Sequence, residues 1–131
     1  MPFGESTSSQ VERVAKEIVD AIFHVYQRLG PGLLESVYEA CLVYELTRRG
    51  LKVAQQVAVP VVYDEVVLDI GFRLDVLVED SVVIELKAVE KLIPLHEAQV
   101  LTYLKLSGKR LAILVNFNAS LLKDQLKRVI L

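Results

Sequence analysis

Apolar residues recur three and four apart near the start of the chain, at Val11, Val14, Ala15, Ile18, Ile22, Val25 and Leu29. That spacing puts them on one face of a helix over residues 9–29. Ser8 or Ser9 is the expected cap, with Glu12 completing a capping box to Ser9. Gly30-Pro31-Gly32 breaks the helix, and a second one is predicted over 33–49, stopped by Gly50. The period then changes. Residues 53–63, 66–78 and 82–89 are rich in valine and other strand formers, with turns at Asp64-Glu65 and Glu79-Asp80-Ser81. Pro60 marks an edge or a bulge. Pro94 opens a third helix reaching Leu106, 111–117 reads as a short buried strand, and 128–131 as an edge strand. The three consecutive strands predict an antiparallel meander. The helix after them returns the chain to a parallel fourth strand by a right-handed crossover.

One run does not fit a purely apolar sheet. In Val82-Val-Ile-Glu-Leu-Lys-Ala-Val89 two opposite charges, Glu85 and Lys87, interrupt a strand. Residues two apart share a face, so the two charges project together while Val82, Ile84, Leu86 and Ala88 line the other side. Charged groups on a sheet are costly without partners. If the preceding loop centres on Asp80, Asp75 lies opposite Glu85 and Arg73 opposite Lys87, with Cβ atoms about 5 Å apart. Two carboxylates so close repel unless a proton or cation is shared. Mg²⁺ takes one or two carboxylates together with water and phosphate. A solvent-facing ladder of salt bridges is the plain alternative.

Two helices add polar groups. His96, Gln99 and Tyr103 form a stripe on the third helix beside the apolar Val100, Leu101 and Leu104. Glu35 sits in the first turn of the second helix, where an acid suits the helix dipole and where a third carboxylate could be aimed at a cation.

Composition narrows the class. The chain has 131 residues, 53% of them hydrophobic and 24% charged, as expected of one domain with a single core. No apolar run approaches a membrane span of about 18 residues. The start of the chain lacks the basic-then-apolar layout of a signal peptide. A single cysteine, Cys41, rules out an internal disulfide and a cysteine-based metal cluster. A soluble cytoplasmic protein is expected, one domain over 1–131 with residues 1–8 flexible. The net charge of −2 does not advertise nucleic-acid binding. Six basic residues, Lys105, Lys109, Arg110, Lys123, Lys127 and Arg128, do gather after residue 100 with one acid, Asp124. Such asymmetry marks an anion-binding face or merely solvated helix ends.

Taken together, an acid on an early helix, Asp on the second strand, Glu-x-Lys on the third and Gln-x-x-x-Tyr on a helix resemble the PD-(D/E)XK nuclease superfamily, in its RecB-like branch. Gly32-x-x-Glu35-x-x-Tyr38 looks like the signature of its small GxxExxY family. Gly71-Phe-Arg73-x-Asp75, Glu85-Leu-Lys87-Ala, Pro94-x-His96-x-Ala-Gln99, Leu101-Thr-Tyr103-Leu-Lys and Asn116-Phe-Asn118 are similar to that family as well. The resemblance implies an α/β fold: a restriction-endonuclease-like αβββαβ core with an extra N-terminal helix, its mixed sheet flanked by helices. It implies a metal-dependent nuclease hydrolysing DNA, or RNA, with Mg²⁺ or Mn²⁺ held by Asp75, Glu85 and the Leu86 carbonyl. Lys87 would position or activate the attacking water, and Glu35 would reach the metal directly or through water. Gln99 and Tyr103 would orient the site or contact the nucleic-acid backbone, with His96 and Arg73 as further substrate contacts. A non-catalytic module binding nucleic acid or protein on the same fold is the alternative. The small, apolar chain is also compatible with a homodimer.

Overall fold

The computed structural model describes residues 3–131, with side chains from Ser9 onward. Two helices come first, α1 (Phe3–Leu29) and α2 (Glu35–Arg48). A meander follows, of β1 (Val53–Tyr63), β2 (Val66–Val78) and β3 (Val82–Lys87). Then come α3 (Pro94–Ser107), β4 (Leu111–Asn116), a short 3₁₀ turn at Leu122–Gln125 and β5 (Leu126–Ile130). Among the described residues no helix is long and apolar enough to cross a membrane.

The first helix differs from its expected start. It begins at Phe3, so Ser8 and Ser9 lie inside it and do not cap it. No proline interrupts residues 3–8, and extending an existing helix adds one hydrogen bond for each residue fixed. The flexibility expected of residues 1–8 falls on Met1 and Pro2, outside the described residues, and on a stretch whose side chains are also outside them.

The five strands form one mixed sheet in the order β1-β2-β3-β4-β5. β1–β2, β2–β3 and β4–β5 are antiparallel, and β3–β4 is parallel across the α3 connection. Alternation sorts the side chains. Val82, Ile84 and Leu86 of β3, with Ile113 and Val115 of β4, pack under α1 and α2. Val83, Ala112 and Leu114 point the other way and meet Val100 and Leu104 of α3. Glu85 and Lys87, spaced by two from Val83, share that second face.

β3 ends at Lys87, two residues earlier than the strand pattern extends. Asn116, fully buried, accepts from the Val89 N–H through Oδ1 (3.0 Å) and donates to the Val89 carbonyl (2.9 Å). A side chain thereby takes over the backbone groups that would have continued the ladder. Past this same end of β3, β1 and β2 run on beyond their neighbours as a hairpin arm. Its turn, Asp64-Glu65, has φ of 46° and 70°, the left-handed pair that suits a two-residue hairpin. Val62, Tyr63, Val66, Val67 and Ile70 of the arm are all exposed.

Candidate metal centre

The β2–β3 ladder stops at Val76↔Ile84. One residue further, Asp75 and Glu85 face each other, and side chains replace the ladder. The Asp75 N–H donates to Glu85 Oε1 (3.2 Å), and the Leu86 N–H donates to Asp75 Oδ2 (3.0 Å). The two carboxyl groups lie close enough to shift each other's titration. Glu85 is buried on the sheet. Burial first, and then the charge of Asp75, push its carboxyl up to about 8. Asp75 is raised as well, mainly by burial. The pair titrates as a unit.

The gap between the strands collects further groups. Lys87 turns its carbonyl toward β4, where it accepts from the Phe117 N–H (2.9 Å). Alternation along β3 then turns the Leu86 carbonyl toward the opened β2 side. Glu35, at the first residue of α2, comes near Asp75, Lys87 and the Ala88 N–H. Its carboxyl is raised by burial and by Asp75, against the pull of Lys87. From the α3 face Tyr103 stacks on Phe72 with ring centroids 4.3 Å apart. Its hydroxyl is raised by burial and by the charges of Glu85 and Asp75.

Not every predicted residue converges. Arg73 does not lie across from Lys87, because the ladder has ended before that pair. Its Nη1 donates instead to the Gln56 carbonyl on β1 (3.0 Å). His96 accepts from the Ile93 N–H through Nδ1 (3.1 Å) and so caps α3. Gln99 is half-buried on α3, one turn before Tyr103.

Other residues shape the site without having been predicted as part of it. Glu39 lies one helical turn after Glu35, and its charge reaches both Glu35 and Asp75. The i, i+4 spacing of the two acids was the readable signal. Glu39 accepts from the side-chain amides of Gln55 (3.0 Å) and Gln56 (3.0 Å), a polar pair within a valine-rich strand. Gln125 accepts from the Leu92 N–H and from Asn116, anchoring the loop that leaves Lys87. Tyr38, fully buried, stacks on Phe117 at 4.6 Å. Its hydroxyl donates to the Gly30 carbonyl (2.6 Å) and accepts from the Leu33 N–H (3.1 Å). That brace fixes the Gly30–Gly32 turn and with it the start of α2, where Glu35 stands.

Among the described residues no group of three or more His, Cys, Asp and Glu side chains is spaced to hold an ion. The donor set is two carboxylates and a backbone carbonyl, all oxygen. This set fits Mg²⁺ or Mn²⁺, which retain waters and share substrate phosphates, and not the closed nitrogen-sulfur cage of structural zinc. Three of the six basic residues after position 100 are held in ion pairs. Arg128 pairs with Glu12, Lys127 with Glu97 and Lys109 with Asp80.

A sequence model described as the PD-(D/E)XK nuclease superfamily matches residues 12–129. Comparison with curated proteins and with solved structures returned no match.

Proposed function

The chain belongs to the PD-(D/E)XK nuclease superfamily, and from that premise we propose that it is a metal-dependent nuclease of the RecB-like, GxxExxY type that hydrolyses phosphodiester bonds, in DNA ahead of RNA. The observation that carries this reading is the place where β3 parts from β2. There the carboxyl groups of Asp75 and Glu85, each raised chiefly by burial, face each other beside Lys87. A proton that compensates two crowded carboxylates is what a divalent cation replaces. Asp75, Glu85 and the Leu86 carbonyl would hold Mg²⁺ or Mn²⁺, with Glu35 completing the sphere directly or through water. When bound, the cation neutralises charge at the scissile phosphate and lowers the pKa of the attacking water.

The chain's own residues supply the rest. Lys87 orients the water and offsets phosphate charge. Tyr103 and Gln99 present hydrogen-bonding groups to the nucleic-acid backbone from α3. Arg73 keeps spare guanidinium donors for a phosphate after its bond to Gln56. His96 holds the N-terminus of α3, and so acts on the substrate through the helix it caps. We place this chemistry in one cytoplasmic domain.

A second reading, a non-catalytic module on the same fold, draws on the exposed apolar arm, which carries Asp64, Glu65 and Asp69 and suits a protein partner, including a second copy, better than a polyanion. The deciding experiment offers single- and double-stranded DNA and RNA to the purified protein with Mg²⁺, Mn²⁺ or chelator. Cleavage that needs metal and falls at least about 100-fold in Asp75→Ala and Lys87→Ala is the expected result. No cleavage of any substrate, or a Lys87→Ala variant as active as the parent, overturns the enzymatic reading.

A further inference from the structure

β1 and β2 keep one register on both sides of Gln56, with Gln55↔Val76 and Val57↔Leu74, yet Gln56 itself drops out of the pairing. Its φ is 50°, a left-handed backbone that strains a glutamine. Neighbouring residues of a regular strand point to opposite faces. Here Gln55 and Gln56 both bring their amides to Glu39, which the left-handed turn makes possible. Arg73 holds the same turn from the other strand by donating to the Gln56 carbonyl.

The residue opposite this turn is Asp75, and β2 changes there too. Leu74 and Leu77 pack on the α3 side of the sheet, while Val76 and Val78 pack under α1 and α2. Regular alternation would place Leu74 with Val76, so β2 rotates between the two. Local irregularities in a ladder re-aim side chains beside functional sites. We propose that Glu39, Gln56 and Arg73 form a positioning clamp that holds the left-handed turn in β1, and that this turn rotates Asp75 so that its carboxyl meets Glu85 and the Leu86 N–H. The residues of the clamp act through Asp75. Only the consequence for activity rests on the nuclease reading; the clamp itself is a property of the metal-free fold.

Two variants test it, Gln56→Val, whose β-branched side chain resists the left-handed turn, and Glu39→Ala, which removes the acceptor of both amides. Gln56→Asn is the conservative control, since asparagine tolerates positive φ. Amide hydrogen exchange is measured in the metal-free proteins, and Mn²⁺ affinity by titration calorimetry. In Gln56→Val and Glu39→Ala the Asp75 and Leu86 amides should lose protection by about tenfold or more relative to Val82 and Ile84 of the same sheet. Gln56→Asn should stay within about threefold of the parent. Mn²⁺ affinity should follow the same order. Parental protection at Asp75 and Leu86 in both disruptive variants overturns the clamp, as does a loss spread evenly over the sheet. A parent protein that binds no Mn²⁺ and cuts nothing removes the nuclease reading, while the exchange data still decide the clamp.

Discussion

The β1–β2 hairpin is interrupted twice, and the two interruptions are of different kinds. At Gln56 and Asp75 the register is the same before and after, and the missing ladder contacts are replaced by side chains: Glu85 and Asp75 on one side, Arg73 and Glu39 on the other. Between Pro60↔Gly71 and Val61↔Leu68 the register itself shifts. Gly71 is there because a Cβ would lie 2.1 Å from the Val59 carbonyl oxygen. The first interruption is chemical, and it leaves Asp75 and Glu85 facing each other beside Lys87, with the charges of Glu35 and Glu39 nearby. The second is steric, and beyond it the hairpin leaves the cover of the helices and becomes the exposed arm. One strand pair thus serves both as the wall of a candidate metal centre and as an apolar projection, with a bend separating the two.

The contrast makes predictions of decreasing size. Glu85 titrates near 4.5 in an unfolded chain but is pushed up to about 8 when folded. Between those values the folded protein keeps a proton that the unfolded chain has lost. Stability of the metal-free protein should therefore fall as pH rises through that window, on the order of 3–4 kcal/mol in all. Asp75 is shifted in the same direction and adds to the slope. Glu85→Gln should flatten most of that fall, as read by chemical denaturation at pH 5, 7 and 9. A parent whose stability rises over this range would mean that the carboxyls do not share a site. Gly71→Ala comes next. The added methyl must displace the Val59 backbone, and a loss of about 2–3 kcal/mol in thermal or urea unfolding is expected, with Mn²⁺ affinity unchanged. If metal affinity drops with stability, the two interruptions are coupled and the separation drawn above fails. Pro60→Ala should cost least, below about 1 kcal/mol, because it only restores freedom to the unfolded chain at an exposed edge position.

Much of the architecture was readable in the sequence. The boundaries of β1 and β2 follow from valine-rich runs and the acidic turn residues between them, and α3 from Pro94 at its start and a left-handed Gly108 at its end. The pairing of β2 with β3 follows from centring the loop on Asp80, and Val76↔Ile84 and Val78↔Val82 obey it. What failed to follow was local. Ser8 and Ser9 have capping chemistry, but nothing before them stops the helix. Val89 has strand character, but Asn116, far away in sequence, takes its backbone bonds.

The candidate site divides in the same way. Asp75, Glu85 and Lys87 could be set at neighbouring positions from strand periodicity and hairpin geometry, whereas Glu35 rested on its place in the first turn of α2 and on the family resemblance. Glu39 and Gln56 were not legible, because their meeting joins a helix to a strand 17 residues later and depends on a left-handed backbone that no residue type other than glycine announces. Local pattern is set by the covalent periods of helix and strand, so the chain alone determined most of its elements, the pairing of β2 with β3 and the acids that share a face. The opening of the ladder at Asp75 needed the tertiary structure. Which backbone groups give up a strand partner for a side chain depends on what the packed helices bring within hydrogen-bonding distance.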